Sequence, residues 1–366
     1  MRILLLYKLL SNDGSSAAET VMEAHMPARF WFALICCSIL LSLFTVAAQV
    51  NNRYIGMPYL QENGPQYMRH QMILEGRDKV PYQYRLLSEY LVEGCLSVVK
   101  RLGVPRAVPV GFILFRLAQN ALIFLLAGWY YRKLGLNGYL AVIGLSLLAW
   151  GMCHTFHASN LYFNTYSDIA FYLLAALVIL AGRYLWLVPI VLLAALNRET
   201  SGLIPLMVVA YGLQCRSRSV VPAWKPVLVG LACLLVYGVV LGVLVYTYRA
   251  HRLSVPYGQH QGIDLLIYNL TKANTWYEGF ATLGLVPFVA IVSMKRWPIA
   301  LKQFFWAVVP LWFVIHALTG ILAESRLLLV PYALVLIPGA MFTLMWSIER
   351  DKSATQHTEP QPQYAS

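Results

Sequence analysis

Charge is scarce in this chain, and acidic charge most of all. Its 366 residues include 16 Asp and Glu against 28 Lys and Arg; charged residues are 12% of the whole and hydrophobic ones 59%. Soluble domains carry roughly twice that share of charge, which excludes a single water-soluble core as the place where all the apolar runs are buried. The six cysteines, Cys36, Cys37, Cys95, Cys153, Cys215 and Cys233, show no CxxC spacing and lie mostly in apolar stretches. That excludes a zinc or disulfide framework and marks them as small core residues. Despite a net charge of +12, no basic patch is interleaved with aromatics, so nucleic acid is not an expected partner. No small-residue cleavage pattern follows "MRILLLYKLL"; that run is too short to span and gives way to the polar "SNDGSSAAE". Residues 1–29 therefore read as an N-terminal cytoplasmic or interfacial segment or, for the first ten, a start-site artefact. Residues 349–366, ending "DKSATQHTEPQPQYAS", read as a disordered tail.

What is abundant is long apolar runs. A span needs about 20 mostly apolar residues, and candidates lie near 30–50, 108–129, 138–153, 201–215, 226–246, 280–294, 303–322 and 327–347. Residues 169–196 read either as one long tilted helix or as two short ones broken at Gly182-Arg183, nine spans or ten, and the loop charge tally favours two. The expected fold class is thus an all-α polytopic membrane protein with about ten transmembrane helices filling residues 30–348. With both termini inside, the inner short loops hold Arg132, Lys133, Arg183, Arg216, Arg218, Lys225, Lys295, Arg296, Lys302, Arg350 and Lys352. These outnumber Arg198, Arg249, Arg252, Lys272 and Arg326 on the outer ones, as the positive-inside rule requires. Between positions 94 and 348 the acidic residues are Asp168, Glu199, Asp264, Glu278 and Glu324, and this topology puts all of them outside. Carboxylates near a bilayer are kept mainly for pairing or function, so carboxylate chemistry is expected at the outer surface.

The first outer loop, residues 51–107, is too long for a mere connection. Its second half places Leu86, Leu87, Tyr90, Leu91, Cys95, Val98, Val99 and Leu102 on one helical stripe. Arg85, Ser88, Glu89, Glu93, Ser97, Lys100 and Arg101 fall on the other, the pattern of an amphipathic helix lying in the interface.

The first half of that loop offers, in order, Glu62, Tyr67, "LEG" at 74–76 and Pro81. Later stretches read "NTYSDIAFYLLAALVIL", "LNRETSGLIP" and "ESRLLLVPYALVLIP". Together these resemble the GT-C superfold of membrane glycosyltransferases, such as aminoarabinose transferases and protein O-mannosyltransferases, and uncharacterised GT-C-like membrane proteins. One departure stands out: with Tyr67 as anchor, the acidic pair of that family falls at or near Asn63-Gly64. The resemblance implies a GT-C-like fold and transfer of a sugar from a polyprenyl-phosphate donor to a lipid, glycan or protein acceptor. It also implies a multi-pass protein of the bacterial inner membrane with its active face periplasmic, in contact with membrane lipids. Some members use a divalent metal ion, although no metal-ligand spacing is visible here.

Such transfer needs a carboxylate near the acceptor hydroxyl, positive charge on the departing phosphate and an apolar groove. Glu62 and Asp168 are the catalytic candidates, Asp168 also being suited to N-cap the span it precedes. Arg198 and Arg326 are phosphate candidates, with Glu199 and Glu324 as their orienting carboxylates and Tyr67 and Arg85 as further substrate contacts. Arg116, Gln119 and Asn120 are expected to face the bundle interior. The HxxH at His154 and His157 is a weak metal signal, and Asn269-Leu270-Thr271 is a formal glycosylation sequon. The competing functions are a non-enzymatic transporter or flippase of a lipid-linked saccharide or small solute, and a polysaccharide polymerase or ligase. The latter usually carries its large loop late in the chain, whereas the longest loop here is early.

Overall fold

A computed structural model describes residues 28–51, 56–155, 161–214, 224–255, 258 and 260–356, with helical backbone alone at 351–356. The chain divides into two compact units, Met1–Cys37 and Ser38–Ser366. Of the first, residues 28–37 are described, as the opening turns of helix α1 (Ala28–Val50).

In the second unit the first loop contributes α2 (Pro65–Leu74) and α3 (Leu86–Arg101). There follow α4 (Ala107–Lys133), α5 (Gly138–His154), α6 (Phe163–Leu180), α7 (Leu187–Asn197) and α8 (Ile204–Gln214). Next come α9 (Trp224–Thr247), α10 (Ile263–Thr271), α11 (Ala273–Leu283), α12 (Val286–Val292) and α13 (Ile299–Thr319). A turn at Ser325–Leu328 and a π-helical turn at Tyr332–Leu336 lead into α14 (Ile337–Gln356). Among the described residues, six segments are long and apolar enough to cross a membrane, or seven if α11 and α12, bent by 67°, form one broken span.

Local chemistry explains the boundaries. Gly182, at φ +69°, ends α6 where an L side chain would be strained, so the 169–196 stretch does break into two helices. Asn137 caps α5 by accepting the Leu140 N–H at 2.9 Å. The α9 stripe of Leu228, Leu231, Leu235, Val239, Val243 and Tyr246 is exposed, in keeping with a helix that faces lipid. The segment from Ser325 to Phe342 is by contrast almost wholly buried and forms the centre. Its π turn displaces carbonyls from the helical ladder; Tyr130 donates to the Leu334 carbonyl at 2.9 Å and Tyr131 to that of Ala333 at 3.0 Å.

Neighbouring contacts fix the helix directions. Gly144 lies against Ile337 and Gly151 against Tyr332, so α5 and the central segment run antiparallel. Gly212 meets Pro226 and Gly230 meets Val209, which makes α8 and α9 a second antiparallel pair. Asn197 bonds the Asn164 carbonyl, placing the end of α7 beside the start of α6. One end of the unit therefore collects the first loop, the start of α6, the 198–203 turn and residues 320–325. The other collects the turns at 134–137, 181–186 and 293–298.

Three expectations need correction. Helix α6 begins at Phe163, six residues before a start at 169, so Asp168 lies in its second turn and the cap position falls to Tyr162. Helix α14 continues to Gln356, into the stretch read as a tail; residues 357–366 lie outside the described residues, as do residues 1–27, Cys215 and His157. Helix α3 forms as expected, but it buries Ser88 and Glu89 with Val92, Leu96 and Val99 and exposes Tyr90, Leu91 and Val98. Ser88 and Glu89 turn inward because they have partners there, while Lys100 and Arg101 remain exposed.

Candidate functional site

The turn at "NRETSG" is where the bundle gathers its charge. Arg198 is extended, at φ −164° and ψ 144°, between α7 and the turn Glu199–Leu203, so consecutive side chains leave in different directions. Arg198 donates from Nη2 to His316 Nε2 at 3.1 Å and from Nη1 to Thr165 Oγ1 at 3.3 Å, with Asp168 Oδ2 at 3.9 Å. His316 in turn donates from Nδ1 to the Trp312 carbonyl at 2.9 Å, which fixes the tautomer that leaves Nε2 as acceptor. Asp168 also accepts from Thr200 Oγ1 at 2.8 Å, and Tyr172 donates to the Thr200 carbonyl at 2.6 Å.

Glu199 faces away from this group. It is gripped by Arg85 from the first loop, with the Nε to Oε2 bond at 3.2 Å and a second bond between Nη2 and Oε1, while Tyr237 of α9 donates to its carbonyl at 2.7 Å. The expectation that Glu199 orients Arg198 is thus corrected: Glu199 belongs to Arg85, and Arg198 to His316 and Asp168. Burial alone would raise the Glu199 carboxyl, but the charge and hydrogen bonds of Arg85 outweigh it and hold it below the usual carboxylate range. Burial pushes the Arg198 guanidinium down, and repulsion from Arg85 and Arg326 adds to it.

Polar contacts continue beneath. Ser88 of α3 reaches Asn197 and, at 3.0 Å, Ser167. Gln119 donates to Ser167 Oγ at 2.7 Å and to the Phe163 carbonyl at 2.8 Å, and Arg116 donates to Gln119 at 2.9 Å while stacking 3.8 Å from the Tyr166 ring. Arg116, Gln119 and Asn120 are all buried in the interior, as their sequence positions imply.

Arg326 joins through aromatic rings. Its guanidinium lies 3.0 Å from the centre of the Tyr162 ring, whose other neighbour is Arg69 at 4.8 Å; Arg69 is also 4.3 Å from Tyr82, which has Arg85 at 5.1 Å. Arginine and tyrosine therefore alternate from Arg326 to Arg85. Cation–π contacts of this kind hold planar cations in fixed orientation. Tyr162 adopts φ +37°, an unusual conformation for a non-glycine residue, of the sort that persists where the surroundings hold it. Glu324 pairs with Arg326 through Nη2, as its spacing implies, but Arg326 Nε and Nη1 are buried without a partner, and so are Arg198 Nε and Asp168 Oδ1.

The structure thus brings together Asp168, Arg198, Glu199 and Arg85, and links Arg326 and Glu324 to them. It leaves the other two candidates apart. Glu62 is exposed on the turn ahead of α2 with no ion pair or hydrogen bond among the described residues. Tyr67 is half-buried in an apolar cluster, its ring 6.4 Å from Phe112 and 6.2 Å from His70. His316, Arg69, Tyr82, Tyr162 and Thr200 escape sequence reasoning; only a polar His inside an apolar helix offered a signal. Asn269 is buried, donating to the Ala317 and Gly320 carbonyls at 3.0 and 2.8 Å and accepting from Leu322 N–H, so it acts as a loop clamp and not as a glycan acceptor. His154 bonds the Trp150 carbonyl of its own helix. Among the described residues, no three His, Cys, Asp or Glu side chains gather in a metal-binding group.

Comparison with family models, with curated proteins and with solved structures finds no match to this chain. What fold and site define is a class: an all-helical protein with several apolar helices long enough to cross a membrane and a buried arginine and carboxylate cluster at one end. The likeness to GT-C transferases rests on the short sequence stretches alone.

Proposed function

We propose that this chain is a GT-C-type glycosyltransferase of about ten membrane passes that moves a sugar from a polyprenyl phosphate to a lipid, glycan or protein acceptor at the outer face. The observation that carries the reading is the unmatched hydrogen-bonding capacity of Arg326. A buried guanidinium with two unpartnered nitrogens costs about 1–3 kcal/mol for each unmet donor, which an anion would relieve. A phosphate oxygen suits that planar donor edge.

In this reading the acceptor oxygen attacks the anomeric carbon and its proton passes to a carboxylate. The bond from that carbon to the phosphate oxygen breaks, and the electron pair leaves on the phosphate, stabilised by Arg326 and its neighbours. Asp168 is the better base, because Oδ1 is uncommitted while Glu199 is held ionised by Arg85. The exposed aliphatic faces would receive the prenyl chain. The test is transfer of labelled sugar from a polyprenyl phosphate by membranes containing the chain. Loss of about 10²-fold or more is expected in Asp168→Asn and in Arg326→Ala; activity unchanged in both overturns the reading.

The 67° break between α11 and α12 and the π turn at Tyr332–Leu336 favour a second reading, movement of a lipid-linked saccharide without chemistry, since broken helices are common in carriers. Translocation of an intact lipid-linked sugar with no transfer product would select it.

A further inference from the structure

At the end of α13 remote from His316, the turn Met294–Arg296 and its neighbours enclose an open cavity of about 680 Å³. Lys295, Arg296, Lys302 and Trp346 line it, and Arg350 lines a hollow continuous with it through Arg296 and Trp346. The Arg296 guanidinium stacks 3.8 Å from the centre of the Trp346 ring, and that of Arg350 lies 5.8 Å from the same ring. Lys302 donates to the Lys295 carbonyl, which ties its stem across the cavity mouth. Three cations thus line the cavity, and Arg350 and Glu349 line the adjoining hollow. Ser293, which lines the cavity, is already bonded to Thr343 at 2.6 Å.

The lining itself is apolar and exposed at Ile291 and Val292 of α12, and exposed Trp306 lies one turn along α13 from Lys302. A soluble phosphate compound makes no use of such a flank, whereas a lipid uses both parts. We propose that this cavity binds the phosphate headgroup of an anionic phospholipid, with the acyl chains lying along that flank. A tryptophan holding a guanidinium at the membrane boundary suits the role, since it orients the cation before the lipid arrives and keeps its apolar edge toward the acyl region. Basic clusters near the surface gain from anionic lipid through the same charge complementarity. The inference requires a bilayer around the helices, but it is independent of any glycosyl transfer at the other end.

The test uses the full chain in nanodiscs of phosphatidylcholine, with and without a minor fraction of phosphatidylglycerol. Lipids retained on the released protein are counted by native mass spectrometry. Phosphatidylglycerol is expected to be retained over phosphatidylcholine, and Arg296→Gln with Lys302→Gln to lower that retention on the order of tenfold. Lys225→Gln, an exposed cation at the start of α9, should leave it unchanged. Three results would overturn the proposal: no preference for the anionic lipid, an equal loss in Lys225→Gln, or full displacement by soluble glycerol phosphate. Thermal unfolding in pure phosphatidylcholine reports whether the double variant folds. If it does not, Lys295→Gln replaces it, and the comparison of the two lipids on the unaltered chain still decides.

Discussion

Arg85 and Arg198 show how one residue type is used in two ways. Arg85 holds Glu199 with two bonds, from Nε and Nη2, one to each carboxylate oxygen, and a guanidinium is the cation whose shape allows this. Removing the carboxylate leaves Arg85 buried without its partner, while Glu199 itself is partly open to solvent, which moderates the effect. Glu199→Gln is expected to lower stability by about 1–3 kcal/mol, between the values for exposed and buried pairs, measured as a thermal shift in nanodiscs. Arg85→Lys should recover only part of the ion pair, because an ammonium cannot bond both oxygens in the same plane. A wild-type midpoint in Arg85→Lys would show that point charge is all the site requires. Arg198, whose nearest partner is a neutral imidazole, contributes a cation that the protein does not fully neutralise.

Helices α2 and α3 are joined by a second polar device. His70 is buried and bonded to Glu89 at 2.7 Å and to Glu93 at 2.9 Å, with Tyr67 and Phe112 packed on its ring. Burial would lower the imidazole, but the hydrogen bonds and charges of the two carboxylates outweigh it and hold it above its ordinary value. A group raised on folding stabilises fully below its unfolded value, near pH 6.5, and ceases to do so as pH climbs through the higher folded value. Limited proteolysis of the first loop should therefore quicken as pH rises above neutrality, and His70→Gln should be equally susceptible across that range; a pH-independent wild type would contradict this. The inverted orientation of α3 yields a further expectation. Cysteine at Leu91 or Val98 should react with a lipid-phase label and cysteine at Val92 or Leu96 should not, the reverse pattern indicating that the polar stripe faces out.

Across the second unit, Asp168, Glu199 and Glu324 mark one end and a basic group without them the other. The first loop, the 198–203 turn and the 320–325 segment share one end with Asp168, Glu199 and Glu324, and the 133–137 and 293–298 turns share the other with Arg132, Lys133, Lys295 and Arg296. Cysteines substituted at Glu62 and Lys272 should react with an impermeant maleimide from one side of sealed vesicles, and those at Lys133 and Lys295 from the opposite side. Labelling of Lys133 and Lys295 variants from different sides would contradict the helix directions. The 198–203 turn also lies beside Tyr237, so α9 runs ten residues, about 15 Å, beyond it. The short helices α7 and α8 therefore end their turn part-way along their taller neighbour, and this sets the charge cluster inside the bundle.

The apolar content, the Gly182 break and the inward placement of Arg116, Gln119 and Asn120 were legible in the sequence, because each follows from local chemistry: hydrocarbon burial, backbone freedom, or the cost of a polar group in lipid. Sequence also marked Asp168, Arg198 and Arg326 as notable, since charge is so scarce around them. Spacing paired Arg326 with Glu324, but it could not pair the other two. The exchange that gives Glu199 to Arg85 and Arg198 to His316 joins residues 114 and 118 positions apart, and the inward turn of the α3 polar face depends on partners in other helices. Those decisions belong to tertiary structure, because a buried charge takes its partner from whatever packing brings within reach, and spacing along the chain carries no record of that.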